Sequence, residues 1–241
     1  MPPFSRRDIL SGGAALGAAA LLGACSSTPP GAAPQASLIM PVPGPAALGA
    51  DPAYALMYGP VYGERFPIAA VDLTKIDPAF LRKEVDYGTP QAPGTIVVDP
   101  ASHYLYHIQP GGRAIRYGVG VGKQGFEWSG VATINSKQEW PDWYPPAEMV
   151  ERRPDIKPQL VQLQSGLGVP GGLTNPIGAR GLYLWQNNVD TLYRIHGTTE
   201  PHTIGQSVSS GCIRMINQDA IDLYNRTPIG TEVLVLTPQI A

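Results

Sequence analysis

A chain of 241 residues is long enough for one good core, or for a small domain with an extension. Only 15% of its residues are charged and the formal net charge is −2, which excludes a broad electrostatic pull on nucleic acid or on anionic membrane. Glycine (28) and proline (26) together exceed a fifth of the residues while aromatics are sparse, a mix that favours short strands and many turns over long helices.

The first 25 residues, "MPPFSRRDILSGGAALGAAALLGAC", read as an address and not as fold sequence. Arg6 and Arg7 precede a mild apolar run, Ile9 to Leu22, that is Ala/Gly-rich and too short to span a bilayer. Paired arginines before a weakly hydrophobic stretch resemble a twin-arginine export signal. "LLGAC" resembles a lipobox, which implies that residues 1–24 are removed and Cys25 is lipidated. Loss of two arginines and Asp8 would take the net charge from −2 to −3. The lipid would tether the protein to a membrane without a spanning helix. Ser26 after the cysteine implies outer-membrane sorting, so the expected location is the periplasm, anchored to that membrane. The counter-reading is an idle cysteine in an ordinary cleaved signal. Residues 25–50, rich in Pro, Ala, Ser and Gly, cannot offset their chain entropy by burial and read as a disordered tether.

Residues 51–92 read as an extension packing on the domain that follows. Within it "DPAFLRKEV" (77–85) predicts one short helix, with Asp77 as N-cap and Pro78 at the first helical position. Residues 93–238 have a strand texture. The β-type runs are 95–99, 103–108, 113–121, 131–136, 181–185, 191–197 and 232–237, with "PGG" (110–112) as a hairpin turn. The stretch 139–181 is long and irregular, yet Trp140, Trp143 and Tyr144 argue for packing. A helix follows Cys212, capped by Asn217 or Asp219, with Ile221, Leu223 and Tyr224 on its apolar side. The fold class is mainly β with a few short helices.

Cys25 and Cys212 are the two cysteines, and neither spacing nor partner supports a disulfide between them. Acyl transfer by cysteine needs thiolate, and a nearby histidine is the usual means of making it. His196, at the end of a predicted strand, precedes Cys212 by 16 residues, a span that lets two turns meet. Gly211 lets the chain turn tightly and leaves room for a carbonyl to approach backbone N–H groups, and Gly197 clears space beside the histidine. Against this stands the bland reading of a buried inert cysteine and a satisfied histidine.

"HGTTEPHTIGQSVSSGCIRM" (196–215) closely resembles the signature of the L,D-transpeptidase catalytic domain family, the YkuD-like proteins. That signature is His-Gly-Thr, a loop, then Ser-x-Gly-Cys-(Ile/Val)-Arg. The match falls on His196, Gly197, Thr198, Ser209, Gly211, Cys212, Ile213 and Arg214. "YGVGVGKQGFEWSGVATI" (117–134), "WYPP" (143–146) and "VPGGLTNPIGARGLYL" (169–184) also resemble Gram-negative members, so the likeness spans roughly 94–237. Ser210 departs from it, because many members carry a second histidine there. His202 in the loop has no role in the signature.

The resemblance implies a sandwich-like β domain that cross-links peptidoglycan. Cys212 would attack a tetrapeptide stem, D-alanine would leave, and a thioester would pass its acyl group to an amine of a second stem or of an envelope protein. Water as acceptor would make a carboxypeptidase. His196 would carry the proton, oriented by a backbone carbonyl near Gly197 or by Ser209. Backbone N–H groups near Ser210, Gly211 and Cys212 are candidates for the oxyanion site. Arg214 holds a substrate carboxylate or braces the loop through backbone carbonyls. Tyr183 and Trp185, on one strand face, line the donor cleft or pack in the core. No cofactor or metal is expected: His103 and His107 share a strand face at even spacing but lack a third ligand. "GVGVGKQG" (118–125) lacks the full phosphate-loop pattern. A sortase would place its histidine much farther upstream, and a papain-like peptidase would place its cysteine before its histidine. A non-catalytic wall-binding lipoprotein is the remaining alternative.

Overall fold

The computed structural model describes residues 51–122, 128–209 and 211–237. Its strands are β1 (Lys83–Asp86), β2 (Ile96–Asp99), β3 (Tyr104–Gln109), β4 (Arg113–Gly118), β5 (Val121–Gly122), β6 (Gly130–Glu139), β7 (Val161–Leu163), β8 (Gly166–Gly168), β9 (Arg180–Gln186), β10 (Val189–His196), β11 (Ser207–Ser209), β12 (Ile213–Arg214) and β13 (Glu232–Val235). Three short helices accompany them: α1 (Pro52–Met57), α2 (Ala147–Arg152) and α3 (Asn217–Arg226). The architecture is mainly β, in keeping with the glycine- and proline-rich composition.

Nine strands form one mixed sheet in the order β1-β4-β3-β2-β13-β6-β9-β10-β12. Its pairs are antiparallel except β2 with β13 and β10 with β12. The β3–β4 hairpin turns where the sequence predicts, with Gly111 and Gly112 both at positive φ (75° and 72°), a conformation that suits a tight hairpin. Beyond β4 the chain runs on to an antiparallel bridge between Gly120 and Arg214 of β12. The far edge of the sheet thereby meets the continuation of its second strand, and the sheet encloses a core. Alternate residues fill that core: Ile96 and Val98, Ala132 and Ile134, Leu182 and Leu184, Val233 and Val235. Leu223 and Ala220 of α3 close it.

The segment at 77–85 differs from the sequence reading. Asp77 does cap, accepting from the Ala79 N–H at 2.9 Å, but the helix ends after a single turn, Pro78–Phe80. The next residues form β1, because Lys83–Asp86 find an open edge at β4. A local propensity for one turn is outweighed by a ladder that satisfies the backbone of four residues.

Residues 51–82 pack against the strand-rich part. Tyr58, Ile76 and Leu81 are buried with Ile204 and Ile216, each burial stabilising by about 1.5–3 kcal/mol. Tyr58 donates from its hydroxyl to Asp219 (3.1 Å), and Gln218 donates to the Gly59 and Ala69 carbonyls (3.0 and 3.1 Å). Both partners sit in the first turn of α3, just after the cysteine motif. Burial pushes the Asp219 carboxyl up to about 7, against the pull of Arg82.

Glu64 makes the second tie. It accepts two hydrogen bonds from the Arg180 guanidinium (2.8 and 2.6 Å) and one from the Trp140 indole (3.0 Å), while Arg180 is only 4% exposed. Removing one member of a buried pair leaves the other charge unpaired. Glu64→Ala is expected to destabilise the fold by about 3 kcal/mol. Urea denaturation of both proteins checks this, and an unchanged midpoint would refute it.

The stretch 139–181 is not structureless. It holds α2, a 3-10 turn (Pro154–Gln159) and the β7–β8 ribbon. Asn175, fully buried, knits it together: its amide donates to the Pro141, Val169 and Pro170 carbonyls, and its oxygen accepts from Ile177 N–H.

Candidate active site

The parallel register between β10 and β12 places the two reactive side chains. Ile195 pairs with Ile213 and His196 with Arg214. Ile195 and Ile213 both point into the core, so by strand alternation Arg194 and His196 share the opposite face with Cys212 and Arg214. Cys212 and His196 are two register steps apart, about 7 Å along the strand, a gap that an imidazole and a thiol can bridge. All four line one cleft of about 1060 Å³, whose walls include Tyr183, Tyr193 and Glu200.

Each side chain has a local support. The turn into Cys212 is held by Ser209, whose hydroxyl donates to the Cys212 carbonyl at 2.6 Å. Gly211 has φ +124°, which strains any residue with a Cβ, and it lies against Gly122 of β5 so closely that a Cβ on Gly122 would overlap its backbone. Ser210 and Cys25 fall outside the described residues.

The His196 Nδ1–H donates to the Gly197 carbonyl at 2.5 Å. Of the two orienting partners expected from sequence, the carbonyl is the one observed, and Ser209 serves the cysteine turn. Fixing the proton on Nδ1 leaves Nε2 as the acceptor. Burial pushes the His196 pKa down to about 4; the Gly197 and Ile177 carbonyls offset this in part, and Arg214 and Arg194 add to it. Burial likewise pushes the Cys212 thiol up, against the Arg194 backbone N–H and the charges of Arg194 and Arg214. At rest the cleft therefore holds a neutral imidazole and a neutral thiol.

Two arginines flank the pair. Arg214 forms an ion pair with Glu200 at 3.2 Å, a contact beyond the two roles expected for it. Arg194, which sequence reading passed over, is held by both oxygens of Asp190 (2.7 Å each) and lies over the Tyr183 ring at 4.5 Å. A bulge in β10 between Asp190 and Arg194, with Leu192 at φ 64°, allows the arginine to fold back. Alternation of charge in "VDTLYRIH" is the one signal that could have marked it.

Several expectations need correction. Tyr183 lines the cleft, its hydroxyl donating to Gln138 at 2.9 Å, whereas Trp185, two residues along β9, does not. His103 and His107 do not share a strand face. His103 precedes β3 at φ 58° with Nε2 3.0 Å from the Ser207 hydroxyl, and His107 is buried beside Gln109. No group of three or more His, Cys, Asp or Glu suited to a metal occurs among the described residues. Neither Asn217 nor Asp219 caps α3; Ile216 stands at that position without a side-chain bond. Asn217 instead donates to the Thr198 carbonyl (2.9 Å) and accepts from Ala179 N–H (3.0 Å). Gly197 makes room for that amide: a Cβ there would overlap Asn217 Oδ1.

Residues 93–235 match the model of the L,D-transpeptidase catalytic domain, and residues 3–23 match the twin-arginine translocation signal sequence, an address for export to the periplasm. Among curated proteins, the Escherichia coli "Probable L,D-transpeptidase ErfK/SrfK" is 34% identical over 148 residues, covering 58% of this chain and 43% of the relative. "Probable L,D-transpeptidase YcfS" of the same species is 33% identical over 156 residues, covering 63% and 47%. The chain thus spans under half the length of these relatives. A crystal structure from Brucella melitensis, named "Probable carnitine operon oxidoreductase caia", is 49% identical, covering 68% of this chain and 99% of that one, with a TM-score of 0.45. With the family model covering more than half of its residues, this chain belongs to the L,D-transpeptidase catalytic domain family.

Proposed function

We propose that this protein is a peptidoglycan L,D-transpeptidase with Cys212 as nucleophile and His196 as proton carrier. The observation that carries the reading is the β10–β12 register, which puts both groups on one face of the same cleft. His196 Nε2 takes the thiol proton as sulfur bonds to the stem-peptide carbonyl. The C–N bond to D-alanine then breaks, His196 protonates the departing amine, and a thioester remains. Backbone N–H groups of Gly211 and Cys212 face the developing oxyanion, each such donor contributing about 10²–10³ in rate. An amine of a second stem, or a lysine of an envelope protein, attacks the thioester. Its proton passes to His196, sulfur leaves as thiolate, and His196 returns the proton to it, restoring the neutral pair. Cys25 carries lipid in the exported form, which holds the enzyme at the outer membrane within reach of the wall.

The test is mass spectrometry of tetrapeptide muropeptides incubated with purified protein. Released D-alanine together with 3→3 dimers is the expected result. Tripeptide alone would replace the transferase with a carboxypeptidase, and unchanged muropeptides would overturn the enzyme reading.

A further inference from the structure

We propose that Asn217 is the positioning residue for the His196 imidazole, a role that rests on the acyl-transfer reading of the Cys212–His196 pair. The His196 Nδ1–H is held by the Gly197 carbonyl, and the Ile177 carbonyl also faces the ring. The Gly197 carbonyl can orient the ring only if the peptide carrying it is itself immobile. Gly197 N–H donates to the Arg180 carbonyl at 3.1 Å, which fixes one side of the residue. Asn217 fixes the other: its Nδ2 donates to the Thr198 carbonyl at 2.9 Å and its Oδ1 accepts from Ala179 N–H at 3.0 Å. One side-chain amide therefore bridges the chain entering β9 and the chain leaving β10, the two segments that enclose Gly197.

The surroundings are shaped for this amide. A Cβ on Gly197 would overlap Asn217 Oδ1, although the Gly197 backbone lies outside the positive-φ region and would accept alanine by conformation alone. A Cβ on Gly178 would overlap the same oxygen. Gly178 sits at φ +70° and also lies close to the Thr198 and Gly197 backbone, so of the two glycines it is Gly197 whose lack of a side chain Asn217 accounts for. Asn217 is also free of the duty that its place suggests, because it opens α3 without capping it. It follows Cys212 by five residues, so one short segment supplies both the nucleophile and the group that holds the proton carrier's support.

If the Thr198 tie is lost, the Gly197 carbonyl turns, Nδ1–H loses its acceptor, and the ring loses its fixed orientation in the cleft that it shares with Cys212. Misplacement by about 1 Å costs on the order of 10²-fold in rate. Asn217→Ala removes both bonds. Asn217→Asp keeps the shape and an acceptor for Ala179, opposes the Thr198 carbonyl, and is favoured in the first turn of a helix, so it keeps the fold. For both variants kcat for D-alanine release is expected to fall about 10–100-fold with KM within about threefold. Gly197→Ala is expected to reproduce the loss, and to add little on top of Asn217→Ala, because the missing amide leaves space for the methyl.

A second readout needs no peptide substrate. Iodoacetamide alkylation of Cys212 depends on His196 at pH 7, whereas at pH 10 hydroxide alone ionises the thiol. The ratio of the two rates is expected to fall about tenfold in both Asn217 variants. A merely structural role would lower the melting temperature and leave this ratio unchanged. A ratio within twofold of wild type in both variants overturns the proposal. If wild-type protein releases no D-alanine, the acyl-transfer reading falls, and the alkylation ratio alone decides the place of Asn217.

Discussion

Cys212→Ala is expected to leave a folded protein that releases no D-alanine from tetrapeptide stems, with the rate down by about four orders of magnitude or more. Alanine lacks the atom that forms the thioester, and the cleft hydroxyls of Ser209 and Thr191 are engaged elsewhere: Ser209 donates to the Cys212 carbonyl and Thr191 to the Leu184 carbonyl. The substitution removes one half-buried sulfur and keeps the backbone, so the cost in stability is within about 1 kcal/mol. Ser209 bonds to the Cys212 carbonyl and not to its side chain, so the turn survives. Paired measurements of circular dichroism and D-alanine release separate the two effects. A carbapenem should add its mass to wild type and not to the variant. If Cys212→Ala retains full activity, or if wild type carries the adduct elsewhere, the nucleophile is misassigned and a wall-binding role returns.

Much of this site was legible because it is local. "HGT" and "SSGCIR" place a histidine and a cysteine at strand ends, and short-range periodicity recovers β2, β3, β9, β10 and β13. Parallel pairing of β10 with β12 is what turns that spacing into one shared face, and pairing between strands is a tertiary property. Arg194 was missed for the same reason. Its importance comes from a bulge that folds it onto Asp190 and Tyr183, and a bulge leaves no periodic trace.

Asn217 shows the opposite failure. Placed before an apolar-sided helix, it reads as a cap, because capping is what asparagine does when only local partners are considered. The partners it takes, Ala179 and Thr198, are 38 and 19 residues away. The same applies to residues 77–85, where Asp77-Pro78 announces a helix that the open edge of β4 converts into a strand. Asn175 and the Glu64–Arg180 pair likewise act across long separations, and they turn an apparently irregular stretch into a fixed cleft wall. Local chemistry was readable from sequence; whatever holds that chemistry in place was not.

His196→Gln is expected to lower the rate of D-alanine release by about 10²–10⁴, since glutamine can donate to the Gly197 carbonyl but cannot accept and return a proton. The pH profile carries the sharper test. The active form has neutral imidazole and neutral thiol, so wild-type kcat/KM is expected to hold from near neutrality down to an acid limb at about 4, where His196 protonates, well below the ordinary 6.5. Its alkaline limb lies above the usual thiol value, because burial raises Cys212. A histidine paired with a standing thiolate would show the reverse, with an acid limb set by the thiol. Stability follows with its own sign. The folded-state pKa lies below the unfolded value, so the unfolded chain binds the proton more readily. The contribution of neutral His196 is complete above pH 6.5 and is lost as pH falls towards 4. In that window His196→Gln should lose less stability on acidification than wild type. Denaturation at pH 7 and pH 4.5, set beside the two rate profiles, checks both statements. An acid limb near 6.5 in wild type would show that the ring is solvated during turnover, and the neutral-pair mechanism would fall with it.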